Sequence, residues 1–267
     1  MTNHKKTDDI MNLPTDKEHF YWTKDKIVRE IDNPEMQKHI TYMKNYEINK
    51  NTLCVYNFFE DPIKGKYLSC IFDVALGIVF STQSSAALVE SLIRKGIYPS
   101  YFAQKEASRR LDFNHFNSII VGYGLYFTTR GTTTRRFHLL ALHHMKDYHM
   151  LNSTVSVFTT LAINGFKYEF ELDDCHQQLP TLLNHGLYLY KSVHDSLLDH
   201  LHAHTHHERL KLSLVNNEDH LIHHDKDINF VATLSDVIEQ TFSAWLSRVN
   251  YELNICMDWA FLNIKFL

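Results

Sequence analysis

Asn164-Gly165 separates two apolar runs, Thr154–Ile163 and Phe166–Leu172. In that setting the pair predicts a type I′ turn, because both central residues must take positive φ, and so it predicts a β-hairpin. Other short runs extend the pattern. Thr52–Phe58 and Lys66–Val74 are rich in strand formers, with Asp61-Pro62 and Gly65 as turn residues between them. Ile78–Phe80 reads as a short third strand, and Ser118–Val121 and Gly124–Thr129 as two more. Thr129–Arg136 reads as a loop and Phe137–Met145 as its return strand.

Helical signals fall between these strands. Ser81–Lys95 has apolar positions at helical spacing, a cap at Ser84 or Ser85, and Arg94-Lys95 before Gly96 at its end. Asp16–Ile31 fits a short helix ahead of Pro34, whereas Pro99–Phe116 has no clean period. Asp173 or Asp174 is expected to cap a helix towards Leu198, interrupted by Pro180 and Gly186. Val231, Leu234, Val237, Ile238, Phe242, Trp245, Leu246 and Val249 mark another helix within Ile228–Leu253. The expected class is α+β: antiparallel strands and hairpins, interspersed helices and a helical C-terminal region. The expected division is an N-terminal extension over 1–45, a central domain over 46–198, and a His-rich connector with a helical region over 199–267.

Composition narrows the function classes. Of 267 residues 44% are hydrophobic, which supports a sizeable core and excludes wholesale disorder. With 8 Gly and 5 Pro the chain is neither collagen-like nor linker-dominated. The formal net charge is −4, yet Ser91–Lys146 carries nine basic residues against Glu106 and Asp112. A basic middle thus sits inside an acidic whole. Met1–Pro14 has no apolar core of a signal peptide, and Ile71–Phe80 is too short to span a bilayer, so a cytoplasmic protein without membrane association is expected. Cys54, Cys70, Cys175 and Cys256 form no CxxC pair and are expected as free thiols.

Most chemical constellations are weak. His200, His202, His204, His206 and His207, with His220, His223 and His224 beyond, could bind Zn²⁺ or Ni²⁺, but no HExxH or Cys partner accompanies them. They are expected as a solvated connector, with no metal site. In Asp174-Cys175-His176 the adjacent Cys and His would not face each other on a helix. Gly122-Tyr123-Gly124 has Phe127 where a dinucleotide fingerprint needs Gly, and no GxxxxGK[ST] or GxSxG is present. No catalytic residue and no cofactor is expected.

The basic middle carries more. Lys105, Arg109 and Arg110 lie near Tyr98, Tyr101 and Phe102, and Arg130, Arg135 and Arg136 flank a Thr-rich loop. Arg forks and Thr hydroxyls suit phosphate oxygens, and loop-borne Arg can enter a narrow minor groove. These six are the candidate DNA-binding residues. Arg130 and Arg135 are expected in the groove, and one of Arg109 and Arg110 is expected to pair with an acid such as Asp112.

Over roughly 150 residues the chain resembles the competence transcription factor (ComK) family. The resemblance rests on Tyr46–Val55, the helix Ser84–Lys95 followed by Gly96–Leu111, the strand–loop–strand Gly124–His144, and the hairpin and helix start in Thr160–Leu179. Ala103-Gln104-Lys105 stands where the family has Gly-Arg-Lys, and Phe127-Thr128-Thr129 where it has Phe-Pro-Thr. The resemblance implies a non-enzymatic transcriptional activator that switches on DNA-uptake (competence, transformation) genes. It implies binding to A/T-rich boxes in double-stranded DNA, largely from the minor groove. It also implies a homo-oligomer, an adaptor of a Clp protease as partner, and 46–198 as the DNA-binding domain. The alternatives are a metal-binding or small-molecule cytosolic enzyme, and an interaction protein that has lost DNA binding.

Overall fold

The computed structural model describes residues 11–95, 100–113, 117–122, 124–132, 134 and 136–202, the last nine by their backbone. Its strands are β1 (Tyr21–Trp22), β2 (Ile40–Met43), β3 (Thr52–Asn57), β4 (Ser69–Asp73), β5 (Gly77–Ser81), β6 (Ser118–Val121), β7 (Gly124–Thr128), β8 (Leu139–Ala141), β9 (Met145–Met150), β10 (Ser156–Thr160) and β11 (Glu169–Leu172). Its helices are α1 (Lys24–Glu30), α2 (Ser85–Arg94), α3 (Tyr101–Arg110) and α4 (Leu179–His202). The class is α+β. A seven-stranded sheet runs β2-β5-β4-β3-β8-β7-β6, and a four-stranded sheet runs β1-β11-β10-β9. Neighbours are antiparallel except β2 with β5 and β1 with β11.

The larger sheet is buried on both faces, which explains why its strands read as continuous apolar runs rather than alternating ones. Val55, Ile71, Val79, Ile119 and Leu139 point to the face covered by Leu88, Val89 and Leu92 of α2. Tyr56, Cys70, Phe72, Ile78, Phe80, Ile120, Phe127 and Leu140 point to the other face. There they meet Phe158 and Phe170 of the smaller sheet and Leu182 and Leu183 of α4. Trp22, Phe72 and Phe170 interlock across that layer, with ring centroids 4.9 and 5.0 Å from Phe72. A register shift between Thr52 and Cys54 puts Leu53 and Cys54 into the same cluster, as a bulge does when it breaks the strict alternation of sides.

Several local expectations hold. Asn164 and Gly165 take φ of 50° and 87°, and Ile163 bridges Phe166 across the turn. Ser84 is the cap of α2, its Oγ accepting from the Ala87 N–H at 3.2 Å. Cys54, Cys70 and Cys175 are buried free thiols, and Cys256 lies outside the described residues.

Others are corrected. The expected extension is part of the core: β1 and β2 add a strand to each sheet, and Leu13, Trp22, Ile27, Ile31 and Met36 are buried. The expected helix over Asp16–Ile31 is broken by β1, with Thr23 capping a shorter α1. Phe137–Met145 is not one strand, because a 3-10 turn at Leu142–His144 passes the chain from β8 in one sheet to β9 in the other. Pro99–Phe116 contains α3, capped by Ser100. Pro180 does not interrupt α4, since it lies in the first turn where its missing N–H has no helical acceptor to lose. Gly186 does not interrupt it either: a Cβ there would run into Ser118 Oγ, so glycine lets the helix lie close on β6. The histidines from His204 onwards and the helix expected within Ile228–Leu253 lie outside the described residues.

Candidate nucleic-acid interface

The inner face of α3 consists of Ala103, Gln104, Ala107 and Ser108, all buried. Gln104 fastens it to the edge strand β6. Its Nε2 donates to the Ile120 carbonyl at 2.8 Å and its Oε1 accepts from the Ile120 N–H at 2.8 Å. The side-chain amide thus takes the place of a further strand on that edge. The 3.6-residue period then turns Phe102, Lys105 and Arg109 outwards along one line. Phe102 is 78% exposed, the most of any large apolar side chain among the described residues.

The α3 arginines share one carboxylate. Arg109 donates from Nε to Glu106 Oε2 and from a terminal nitrogen to Oε1, each at 2.8 Å. Arg110 Nε donates to Oε1 at 3.0 Å. The hydrogen bonds from Arg109 and Arg110 hold the Glu106 carboxyl down to about 2. Glu106 is an acid that answers both arginines, because positions three and four apart share a helix face. Lys105 is exposed and makes no ion pair among the described residues. At the start of α3, Tyr101 and Thr132 join their hydroxyls at 2.9 Å and tie the helix to the Thr-rich loop.

The rest of the described basic set lies at another place, the corner where β11 turns towards α4. Arg130 donates from Nε to the Asp174 carbonyl at 3.0 Å and pairs with the Asp174 carboxylate. Asp174 has φ of 59°, a left-handed backbone that turns the chain here. Asp173 and Asp174 are thus tied to distant side chains, and α4 begins at Leu179 instead of being capped by either. Arg136 pairs with Glu60 at 2.6 Å. Lys24 lies 3.4 Å from Asp173, and His138 Nε2 lies 2.7 Å from the other oxygen of that carboxylate. Arg135 is outside the described residues.

A cleft of about 270 Å³ opens at this corner, lined by Lys24, Asp25, Phe58, Glu60, Arg136 and His138 among others. His138 and Asp173 have the composition of a catalytic dyad but are wired as a clasp. The Asn57 N–H donates to His138 Nδ1 at 3.2 Å, so Nε2 carries the proton and donates to Asp173. Burial lowers the His138 pKa despite the carboxylate, and the ring is neutral with both nitrogens engaged. It has no lone pair to offer as a general base. Burial works to raise the Asp173 pKa, but His138 and Lys24 hold it below the ordinary carboxylate range. Cys175 is 1% exposed, and burial pushes its thiol up to about 12, away from the thiolate a nucleophile needs. Among the described residues no cluster of three or more His, Cys, Asp or Glu side chains fits a metal ion.

The structure thus splits the six expected residues: Lys105, Arg109 and Arg110 on α3, Arg130 and Arg136 at the corner, and Arg135 undescribed. Phe102, Gln104 and the Tyr101–Thr132 bond are additional features of the site. Ser100, whose side chain caps the helix at Ala103, is a local signal in the sequence that no apolar period accompanies. Compared with protein-family models, curated proteins and solved structures, the chain matches none.

Proposed function

We propose that the chain is a nucleic-acid-binding regulator that works through the outer face of α3 and the Thr-rich loop beside it. The observation that carries this reading is the line Phe102–Lys105–Arg109, an exposed aromatic with two cations, tied to that loop by Tyr101 and Thr132. Cations on a helix and hydroxyls on a loop are complementary to phosphate oxygens. Arg109 and Arg110 can exchange their exposed partner Glu106 for phosphate, because a solvent-exposed ion pair contributes about 0–1 kcal/mol.

The resemblance to the competence transcription factor family extends the proposal to activation of DNA-uptake genes from A/T-rich boxes. It likewise suggests a homo-oligomer in the cytoplasm and an adaptor of a Clp protease as partner. No described helix is long and apolar enough to cross a membrane.

Titration of an A/T-rich promoter duplex with the full chain at several salt concentrations tests the reading. Each neutralised phosphate contributes about −0.9 to the slope of log K against log salt. A measurable, salt-steep affinity is expected. Folded protein that shifts no duplex at any salt concentration overturns DNA binding and leaves an interaction protein.

A further inference from the structure

Resting on the nucleic-acid reading above, we infer that the outer face of α3 takes an unstacked base of single-stranded nucleic acid, with Phe102 as its stacking surface and Lys105 on the adjoining phosphate. The first reason is what this face lacks. Reading paired bases in the major groove needs free amide or guanidinium forks that reach base edges. Gln104 is the amide of α3, and it is turned inwards onto both polar groups of Ile120. Arg109 and Arg110, which hold Glu106 in the free chain, are the groups assigned above to phosphate. A helix about 10–12 Å across does not enter a minor groove about 6 Å wide.

The second reason is what the face offers. Phe102 is 78% exposed while its neighbour Ala103 is 4% exposed, so the ring is presented to solvent by a helix that is itself anchored. An aromatic ring stacks on any unpaired base, since every base has a π-face. The rise of about 1.5 Å per residue puts Lys105 about 4.5 Å along the axis from Phe102 and Arg109 about 6 Å beyond that. A base on the ring therefore has cations on one side of it, along the path of its own backbone. Recognition of this kind is tolerant of sequence and sensitive to strandedness.

Fluorescence anisotropy of the full chain with a labelled oligothymidylate and with a labelled A/T-rich duplex, at one salt concentration, tests this. Phe102→Ala is expected to weaken oligothymidylate binding about tenfold and duplex binding less than twofold. Phe102→Trp is expected to restore single-strand affinity and to add a fluorescence that the oligothymidylate quenches. Unchanged oligothymidylate binding by Phe102→Ala, with Lys105→Ala weakening both probes, overturns the stacking role and leaves nucleic-acid binding standing. Equal losses on both probes also overturn it, in favour of a ring that packs against duplex. If the unaltered chain binds neither probe, the nucleic-acid reading falls together with this one.

Discussion

At the corner beside β11, Lys24, Arg130 and Arg136 each meet a carboxylate from a distant stretch of chain: Asp173, Asp174 and Glu60. On α3, Arg109 and Arg110 meet a single carboxylate from their own helical turn, and Lys105 has no ion-pair partner among the described residues. A pair between distant segments holds tertiary structure, whereas a pair within one turn mainly sets side-chain rotamers. Positive charge counted along a sequence is therefore not the charge a surface presents. Substitutions at the corner should cost stability, and those on α3 should cost binding.

His138→Ala is the strongest way to break this comparison. It removes the donor to Asp173, strips the acceptor from the buried Asn57 N–H, and empties space beside Tyr56, whose ring centroid lies 5.4 Å away. Losing a charge-assisted hydrogen bond and buried volume costs about 2–4 kcal/mol. For a domain of this size that lowers the melting temperature by roughly 5–15 °C. Lys105→Ala, on an exposed helix face, should stay within about 0.5 kcal/mol. Equal melting temperatures for the two variants would show that the corner is no clasp.

Acid sharpens the same contrast. α3 has no histidine, and Glu106 is already held at about 2. His138, His143 and His144 are buried or half-buried imidazoles outside α3. Burial, with His144 beside it, pushes His143 down to about 4, and burial lowers His138 and His144 as well. Folding keeps these rings neutral while the unfolded chain takes up protons below about 6.5. Their contribution is complete above that pH and is lost as pH falls towards the folded value, about 4 for His143. Between about pH 6.5 and pH 5 His143 alone removes up to about 2 kcal/mol. Asp173 stays ionised throughout that window because its pKa is held low. Urea unfolding at neutral pH and at about pH 5 measures the difference, and a flat result would mean these rings are not buried neutral.

The two regions also differ in how far they were legible. The Asn164-Gly165 hairpin, the Ser84 cap and the strands β3, β4 and β7 were readable because local chemistry decides them. α3 was not, because the face it buries is Ala103, Gln104, Ala107 and Ser108, with no apolar stripe to set a period. Nor were β1 and β2, which are two and four residues long and pair with strands far along the chain. The basic residues were visible as residue types, and their partners were not. Arg130 finds Asp174 44 residues away only because Asp174 adopts a left-handed backbone at the end of β11. No spacing rule connects such a pair, whereas Glu106, Arg109 and Arg110 follow directly from helical spacing once α3 is known.

The smallest effect expected is also the one that decides between the sequence-based expectation and the structure for Arg130. An Arg inserted in a narrow A/T-rich groove loses more affinity on A/T-rich than on G/C-rich duplex when it is removed. In the structure the Arg130 guanidinium is engaged with both the carbonyl and the carboxylate of Asp174. Arg130→Ala should therefore leave the A/T preference and the salt slope unchanged and cost at most about 1 kcal/mol of stability, since the pair is about two-fifths exposed. Lys105→Ala should lower the salt slope by about one unit, equally on both duplexes, with no change in stability. If Arg130→Ala instead erodes the A/T preference, then Asp174 only holds the guanidinium until DNA arrives. The corner and α3 would then be two halves of one interface, joined through the Thr-rich loop that Tyr101 already ties to the helix.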